Sequence, residues 1–303
     1  MKKPIEIAIV SAKGGAGKTM LASSLGRLIE GCVMADCDVD SPNLHLVLNP
    51  TTETEGIFLG DKKAVLNKRL CTQCGDCFRA CRFEAVREAN VPEGWLYSID
   101  SLSCRGCGLC ARICPEGALE LVTSRAGTWY VSTSKCGPLV HASLAPGQRD
   151  ASGLVRVVKR EARRAASRKD LDTIVIDGPA GIGAPVISAL VGATVAVVVA
   201  EPTVSGTRGL RSVAELAKRH GITPVCVINK HDLNPDGTAR IRDYLSGAHI
   251  ELIGEIPFSP EASKTTADCG LVVDLAGDPA AEAIRKILGR VSSLAGSGGN
   301  RDS

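Results

Sequence analysis

Residues 13–19 read KGGAGKT, and this glycine-rich stretch decides the fold. An apolar run predicts a strand from Ile5 to Val10 before it, and a helix is predicted from Thr19 to Glu30 after it. A glycine-rich loop in that position turns successive backbone N–H groups towards one anion, and the helix N-terminus adds its positive end. The sequence therefore predicts a phosphate-binding loop.

Side chains of the loop indicate what kind of phosphate it binds. Lys18 would reach the β- and γ-phosphates of a nucleoside triphosphate, and the Thr19 hydroxyl would ligate Mg²⁺. Gly14, Gly15 and Gly17 are expected to supply the backbone cradle. This arrangement predicts a nucleotide site.

The rest of the chain alternates apolar runs with helical segments. Further strands are predicted at Cys32–Ala35, Thr173–Asp177, Thr194–Ala200, Pro224–Ile228 and Glu251–Ile256, and further helices at Arg156–Lys169, Ala184–Leu190, Gly206–His220 and Ala280–Ile287. Strands that are continuous Val/Ile runs, separated by helices, are typical of parallel sheets buried on both faces. We therefore expect an α/β P-loop NTPase fold, with a mostly parallel sheet covered by helices on both faces.

Composition sets limits on compartment and partners. The 303 residues carry a formal net charge of only +3, which argues against nucleic acid or a membrane as the main partner. The N-terminus does not resemble a signal peptide, and the longest apolar run, Ala189–Ala200, is too short to span a bilayer. A cytoplasmic chain keeps its thiols reduced, so the 13 cysteines predict metal ligation rather than disulfides.

Eight of the cysteines form an internal repeat. Cys71, Cys74, Cys77 and Cys81 recur 33 residues later as Cys104, Cys107, Cys110 and Cys114, and Pro115 follows the last of them. This CxxCxxCxxxC run is typical of bacterial ferredoxins, in which three cysteines hold one 4Fe-4S cluster and the fourth serves the other. The rule assigns one cluster to Cys71, Cys74, Cys77 and Cys114, and the second to Cys104, Cys107, Cys110 and Cys81. Zinc, which usually uses two separated CxxC pairs, is less favoured.

The repeat interrupts the strand–helix rhythm, which resumes after it. We therefore expect a small α+β ferredoxin domain at residues 63–123, inserted between two parts of the P-loop domain at residues 1–62 and 124–292. The Gly/Ser-rich end, residues 293–303, is expected to be disordered.

Three motifs resemble those of the MinD/ParA/Mrp ATPases. Lys13 and the two glycines after it, ahead of Gly17–Thr19, look like the deviant Walker A motif. Asp36–Asp38, followed by Pro42 and Asn43, resembles the second acidic motif, and Asp177–Gly181 resembles Walker B and switch II. The resemblance implies an ATP-dependent homodimer in which Lys13 reaches the partner's nucleotide.

The acidic motifs also make chemical sense by position. Asp177 and Asp36, at strand ends, are expected in the Mg²⁺ shell, Asp38 is our candidate for orienting the attacking water, and Gly181 offers an N–H to the γ-phosphate. Asn229 opens an NKxD-like stretch, and the family places an asparagine against adenine here, so ATP is favoured over GTP. A turn without base contact is the alternative for Asn229.

The whole combination resembles MinD-superfamily ATPases that contain an inserted ferredoxin domain. The first hypothesis is an ATPase in which nucleotide state gates electron transfer through two 4Fe-4S clusters to an unknown redox partner. The alternatives are an Fe-S carrier or maturation ATPase, which would pass a cluster to an acceptor protein, and a redox-sensing positioning or regulatory ATPase. No nucleic-acid partner is expected, and membrane association is not favoured.

Overall fold

The computed structural model describes residues 4–92 and 94–298. Strands lie at β1 Ile5–Ser11, β2 Cys32–Asp36, β3 Thr51–Leu66, β4 Val86–Val91, β5 Gly94–Ile99, β6 Leu119–Ser134, β7 Gly137–Leu144, β8 Thr173–Ala180, β9 Val195–Ala200, β10 Thr223–Asn229 and β11 Glu251–Ile256. Helices lie at α1 Lys18–Leu28, α2 Leu44–Leu48, α3 Asp76–Ala80, α4 Leu109–Ile113, α5 Ala151–Arg168, α6 Ala184–Leu190, α7 Val204–Arg219, α8 Pro235–Gly247, α9 Pro260–Ala267 and α10 Pro279–Gly298, with a 3-10 turn at Val272–Asp274.

The chain divides into two compact units. The first contains residues 1–55, 129–143 and 152–303, and the second contains residues 56–128 and 144–151. The predicted insert, residues 63–123, lies within the second unit. Strands β3 and β6 each begin in one unit and end in the other.

A large sheet runs in the order β11-β10-β9-β1-β8-β2-β7-β6-β3 through the described residues. β1 pairs in parallel with both β8 and β9, so Ile7 lies opposite Val175 on one side and Val195 on the other. Burial on both sides explains the continuous Val/Ile runs. Only Lys135 and Cys136 separate β6 from β7, which leaves room for a hairpin but not for a parallel crossover. The expected α/β fold is confirmed.

The core of the first unit joins this sheet to its flanking helices. Ile7 and Ile9 of β1, Leu21 and Leu25 of α1 and Ile284 of α10 belong to one buried cluster. Burying each such side chain is worth about 1.5–3 kcal/mol. The carboxyl ends of β1, β2 and β8 are thereby held at one edge of the sheet, where the nucleotide motifs follow them.

A buried ion pair anchors α5. Lys159 Nζ lies 3.1 Å from Glu6 Oε2 and also donates to the carbonyls of Ala189 and Val191. Arg163 pairs with the same carboxylate. Lys159 is therefore almost fully buried, although it lies on a helix rich in basic residues.

The second unit has its own small core. β4 and β5 form an antiparallel pair from Val86–Ile99 to Val91–Gly94. Ala85, Val86, Tyr97 and Leu119 pack with Cys77 and Cys104 in one buried cluster. The repeated cysteines therefore frame the interior of this unit.

Two features differ from expectation. The sequence analysis gave no bounds for β3–β7, α2–α4, α8 or α9. The prediction of disorder from residue 293 is wrong for residues 293–298, which continue α10, while residues 299–303 lie outside the described residues. In residues 4–92 and 94–298, none of the helices has the length and apolar character needed to cross a membrane.

Candidate functional sites

The phosphate loop leaves β1 and opens directly into α1. Gly15 and Gly17 have φ values of 78° and 97°, in the left-handed region that favours glycine, and α1 begins at Lys18. A Cβ at Gly14 or Gly15 would meet no atom within 4 Å. The loop therefore exposes bare backbone on the side where an anion would approach.

Asn229 holds the other side of the loop. Its Nδ2 donates to the Ala16 carbonyl at 2.9 Å, its Oδ1 accepts from the Lys230 N–H, and the side chain is buried. A Cβ on Gly17 would lie 2.3 Å from that Nδ2, so glycine is required here. Both ends of the amide thus contact protein, and its predicted contact with adenine stays a prediction.

Two buried carboxylates meet beside Thr19. The Thr19 hydroxyl donates to Asp177 Oδ2 at 2.6 Å, while Asp177 Oδ1 is buried with no hydrogen-bond partner in the part of the chain that the structure describes. Asp36 lies opposite Asp177 in the β2–β8 ladder. Burial raises the pKa of Asp177 to about 7, and burial together with the Asp177 charge raises that of Asp36. An orphaned carboxylate oxygen next to a threonine hydroxyl fits the hydrated Mg²⁺ predicted here.

Asp36 also shapes the acidic segment. It accepts hydrogen bonds from the Asp38 N–H at 3.1 Å and the Leu44 N–H at 3.0 Å. Asp38 is half-buried, and burial raises its pKa while the nearby Lys18 ammonium opposes that rise. The structure therefore brings Lys18, Thr19, Asp36, Asp38 and Asp177 to one place.

Lys13 and Gly181 are the two other residues predicted for the phosphate end of the nucleotide site. Lys13 is exposed, and its Nζ donates to Ser205 Oγ at 2.7 Å. The Gly181 N–H donates to the Ser11 carbonyl at 2.9 Å, with φ of 106°. For this N–H to contact a γ-phosphate as predicted, its hydrogen bond to the Ser11 carbonyl would have to break.

A cavity of about 220 Å³ adjoins the loop. Its lining includes Gly15, Gly17, Asn229 and Lys230, with residues 256–259 on the opposite wall. Asp232 Oδ1 accepts from the Phe258 N–H at 2.7 Å, which holds that wall in place. The cavity is continuous with the phosphate loop, so a base and ribose attached to the bound phosphates could enter it.

The repeated cysteines surround two further cavities in the second unit. Cys71, Cys74, Cys77 and Cys114 line one of them. Cys81, Cys104, Cys107 and Cys110 line the other. These are the two sets of four that the ferredoxin rule assigns to separate clusters. In residues 4–92 and 94–298, no three potential ligands are grouped closely enough for a single metal ion.

Backbone geometry repeats around the two cavities. Gly75 and Gly108 have φ of 79° and 75° and precede the short helices α3 and α4. Cys81 Sγ accepts from the Ala85 N–H at 3.4 Å, and Cys114 Sγ accepts from the Ala118 N–H at 3.3 Å. Amide donors aimed at cysteine sulfur stabilise thiolate charge, as Fe-S ligation requires. Four thiols around an apolar cavity with such donors fit a 4Fe-4S cube.

Comparison with known proteins finds matches to the cysteine-repeat region and to the overall fold. Residues 70–119 match the family model described as a 4Fe-4S dicluster domain. The solved structure of the septum site-determining protein MinD with Mg-ADP from Pyrococcus horikoshii matches with a TM-score of 0.53 and 20% identity, covering 98% of this chain and 99% of that one. The chain has a MinD-type P-loop fold and a 4Fe-4S dicluster domain.

Two relatives from Methanocaldococcus jannaschii match most of the chain. An uncharacterized protein is 27% identical over 76% of this chain and 79% of its own length. An uncharacterized ATP-binding protein is 24% identical over 95% of this chain and 87% of its own length. Both alignments therefore extend well beyond the cysteine repeat.

Sequence reasoning missed two residues at the dicluster domain. Lys63 Nζ donates to the Cys104 carbonyl at 2.6 Å, and the Ala64 N–H donates to Cys104 Sγ at 3.4 Å. Both residues lie on β3, a strand that the sequence analysis did not predict. The apolar pair Ala64–Val65 beside two lysines gave only a weak strand signal.

Asp177→Asn in the MinD-type unit is expected to stabilise the nucleotide-free protein while weakening Mg-nucleotide binding. The asparagine amide oxygen still accepts the hydrogen bond from Thr19, and the substitution removes one of two buried negative charges. The free energy of unfolding should rise by about 1 kcal/mol, which corresponds to roughly 2–4 °C in Tm. Because the folded-state pKa of Asp177 is raised to about 7, the carboxyl is charged above that pH, so the gain should be larger at pH 8 than at pH 6.

Differential scanning calorimetry at both pH values measures this effect. The control is Asp172→Asn, which alters an exposed aspartate just before β8. A lower Tm for Asp177→Asn at both pH values would contradict the prediction.

Proposed function

We propose that the protein binds and hydrolyses ATP and couples its nucleotide state to electron transfer through two 4Fe-4S clusters. One observation carries the proposal. At the nucleotide site, Asp36 accepts a hydrogen bond from the N–H of Leu44, the first residue of α2. Strand β3 begins at Thr51, directly after α2, and its Ala64 N–H donates to Cys104 Sγ. One short stretch of chain thus joins the two candidate sites.

Each nucleotide-site residue has a distinct role in this proposal. Lys18 neutralises the β- and γ-phosphates, and Thr19 and Asp177 hold Mg²⁺, with Asp36 supporting the acidic segment. Asp38 orients the attacking water. Lys13, exposed beside Ser205, is free to swing towards a second protomer in an ATP-dependent homodimer. Mg²⁺, when bound, offsets the charge that develops on the phosphate oxygens.

The choice of ATP rests on the cavity beside the phosphate loop and on the nucleotides named for two similar proteins. Asn229 lines that cavity, where the resemblance places a base-contacting asparagine. The Pyrococcus MinD structure contains Mg-ADP, and the second Methanocaldococcus relative is named as an ATP-binding protein. ATP is therefore the nucleotide to test first, with GTP as the competitor.

In the second unit, Cys71, Cys74, Cys77 and Cys114 would hold one cluster and Cys81, Cys104, Cys107 and Cys110 the other. Bound clusters would accept and release single electrons. The amide donors of Ala64, Ala85 and Ala118 stabilise negative charge on three of the sulfurs. Movement of β3 would therefore change the donor to Cys104 and, with it, the potential of the second cluster.

Permanent redox centres fit this site better than transferable cargo. A cluster that is handed on is usually held by few, exposed cysteines that bridge a dimer, whereas each cavity here has four cysteines from one chain. Cys77 and Cys104 are buried. Electron transfer is therefore favoured over cluster delivery.

The test compares cluster midpoint potentials without nucleotide, with ADP and with ATP on one anaerobic sample. Coupling is reciprocal, so a tenfold change in ATP affinity on reducing one cluster corresponds to a shift of about 59 mV in its one-electron midpoint. We expect a nucleotide-dependent shift, largest for the second cluster. Lys18→Ala, the control, should show none. Midpoints that coincide in all three states, with ATP binding verified by calorimetry, would rule out the coupling.

A further inference from the structure

At two of the positions where the halves of the cysteine repeat differ, an arginine stands beside a cysteine of the second set. Across the 33-residue shift, Arg82 corresponds to Pro115, and Arg105 corresponds to Thr72. Each arginine directly follows a cysteine of the second set, Cys81 or Cys104. The second cavity therefore has two cationic neighbours where the first has a threonine and a proline.

These two arginines share a surface depression. Both are exposed, and the depression is lined by Arg82, Phe83, Glu84, Ser103 and Arg105. Arg82, Phe83 and Arg105 also line the cavity that the second set of cysteines surrounds. A molecule seated in the depression would thus be separated from the cysteine cavity by a single layer of side chains.

The arginines are available to a ligand. Within residues 4–92 and 94–298, neither has an ion-pair or side-chain hydrogen-bond partner, and Arg82 lies over the Phe83 ring at 4.8 Å. Glu84 is the acidic residue of the lining. The neighbouring Asp100 is already engaged, since it accepts from Arg87 at 3.0 Å and from the Ser103 hydroxyl at 2.9 Å. The depression therefore has a net positive charge.

We propose that this surface, formed by Arg82, Phe83, Ser103 and Arg105 and called here the second-cluster face, docks an acidic redox protein. The proposal rests on the electron-transfer function proposed above and says where electrons enter or leave. Guanidinium groups present forked donors that match carboxylates, and arginine and aromatic residues are both enriched at protein interfaces. One electron leaves the donor and one enters the acceptor, and no bond forms or breaks.

The test uses full-length, anaerobically purified protein and, as probe, an acidic plant-type 2Fe-2S ferredoxin. Affinity is measured by calorimetry over a series of salt concentrations. Arg82→Gln with Arg105→Gln should weaken binding about tenfold at low salt and reduce the salt dependence, because opposite charges steer and hold the complex. Arg82→Lys with Arg105→Lys should restore much of the salt dependence. Hydrogen exchange should show protection at residues 82–84 and 103–105 when the probe binds.

The matched control is Lys68→Gln with Arg69→Gln, which removes the same charge from two exposed residues that precede the first cluster set. It should change affinity less than twofold. Equal losses in both double variants, no loss in the arginine variant, or protection located elsewhere would each overturn the assignment. Iron content and circular dichroism of every variant identify any that fail to fold, and the single variants Arg82→Gln and Arg105→Gln then replace a misfolded double variant.

The same samples separate this proposal from the coupling on which it rests. If docking fails at this face but ATP still shifts a cluster midpoint, the docking assignment alone is lost. If the arginine variant loses affinity for the probe as expected but ATP shifts no midpoint, the surface stands and the nucleotide coupling is wrong.

Discussion

Lys18→Ala should lower ATP affinity by about 100-fold or more and abolish turnover. Lys18 is buried at the start of α1, beside a loop whose backbone is open to an anion. Removing one member of a buried, hydrogen-bonded charge pair typically costs 2–5 kcal/mol, which corresponds to a large loss of affinity. Equilibrium binding of a fluorescent ATP analogue and a phosphate-release assay measure the two effects.

Lys13→Ala is the matched variant, because it removes the same side chain from the same loop. Lys13 is exposed and contacts Ser205, so ATP affinity should change by less than about threefold. Hydrolysis should fall in the phosphate-release assay. ATP-dependent dimerisation, measured by light scattering after gel filtration, should fall as well. Unchanged ATPase activity in the two variants would remove the site assignment altogether.

The central strands of the large sheet could be predicted because each is a run of consecutive apolar residues. β1, β8, β9 and β10 are buried on both faces, so their apolar residues are consecutive and the strands stand out. β3 is different. It lies at the edge of the large sheet, and its first five residues, Thr51 to Glu55, are exposed and polar. Such a strand has little hydrophobic signal, and its position depends on partners far away in the chain.

The candidate sites also combine local motifs, which the sequence reveals, with long-range contacts, which it does not. The phosphate loop and the cysteine repeat are local patterns, so the sequence locates them. The hydrogen bond from Asn229 to Ala16 joins residues 213 positions apart, and the bond from Ala64 to Cys104 joins residues 40 positions apart. No spacing rule predicts contacts of that kind. The end of α10 was missed for another reason, because small residues such as Ala295 and Gly296 resemble a linker in composition although the helix extends through them.

Anaerobically isolated protein is expected to contain about eight iron atoms per chain, four in each cysteine set. Replacing Cys71 and Cys74 by alanine should lower this to about four, and so should replacing Cys107 and Cys110, because each pair lines a different cavity. Each variant should keep the cluster of the intact set, since that cavity retains all four of its own thiols. Iron and acid-labile sulfide analysis, with EPR of the reduced protein, measures the occupancy of each site.

Two variants outside the repeat serve as controls for the iron count. Cys32 and Cys136 are buried in the core cluster of the first unit, and burial raises the pKa of both thiols, that of Cys32 to about 12. Neither thiol lines either of the two cysteine cavities, so neither is expected to hold a cluster. Cys32→Ala and Cys136→Ala should therefore retain about eight irons. Four irons in the unaltered protein, stoichiometric zinc, or a loss of iron in the controls equal to that in the repeat variants would contradict the assignment of two clusters to the repeated cysteines.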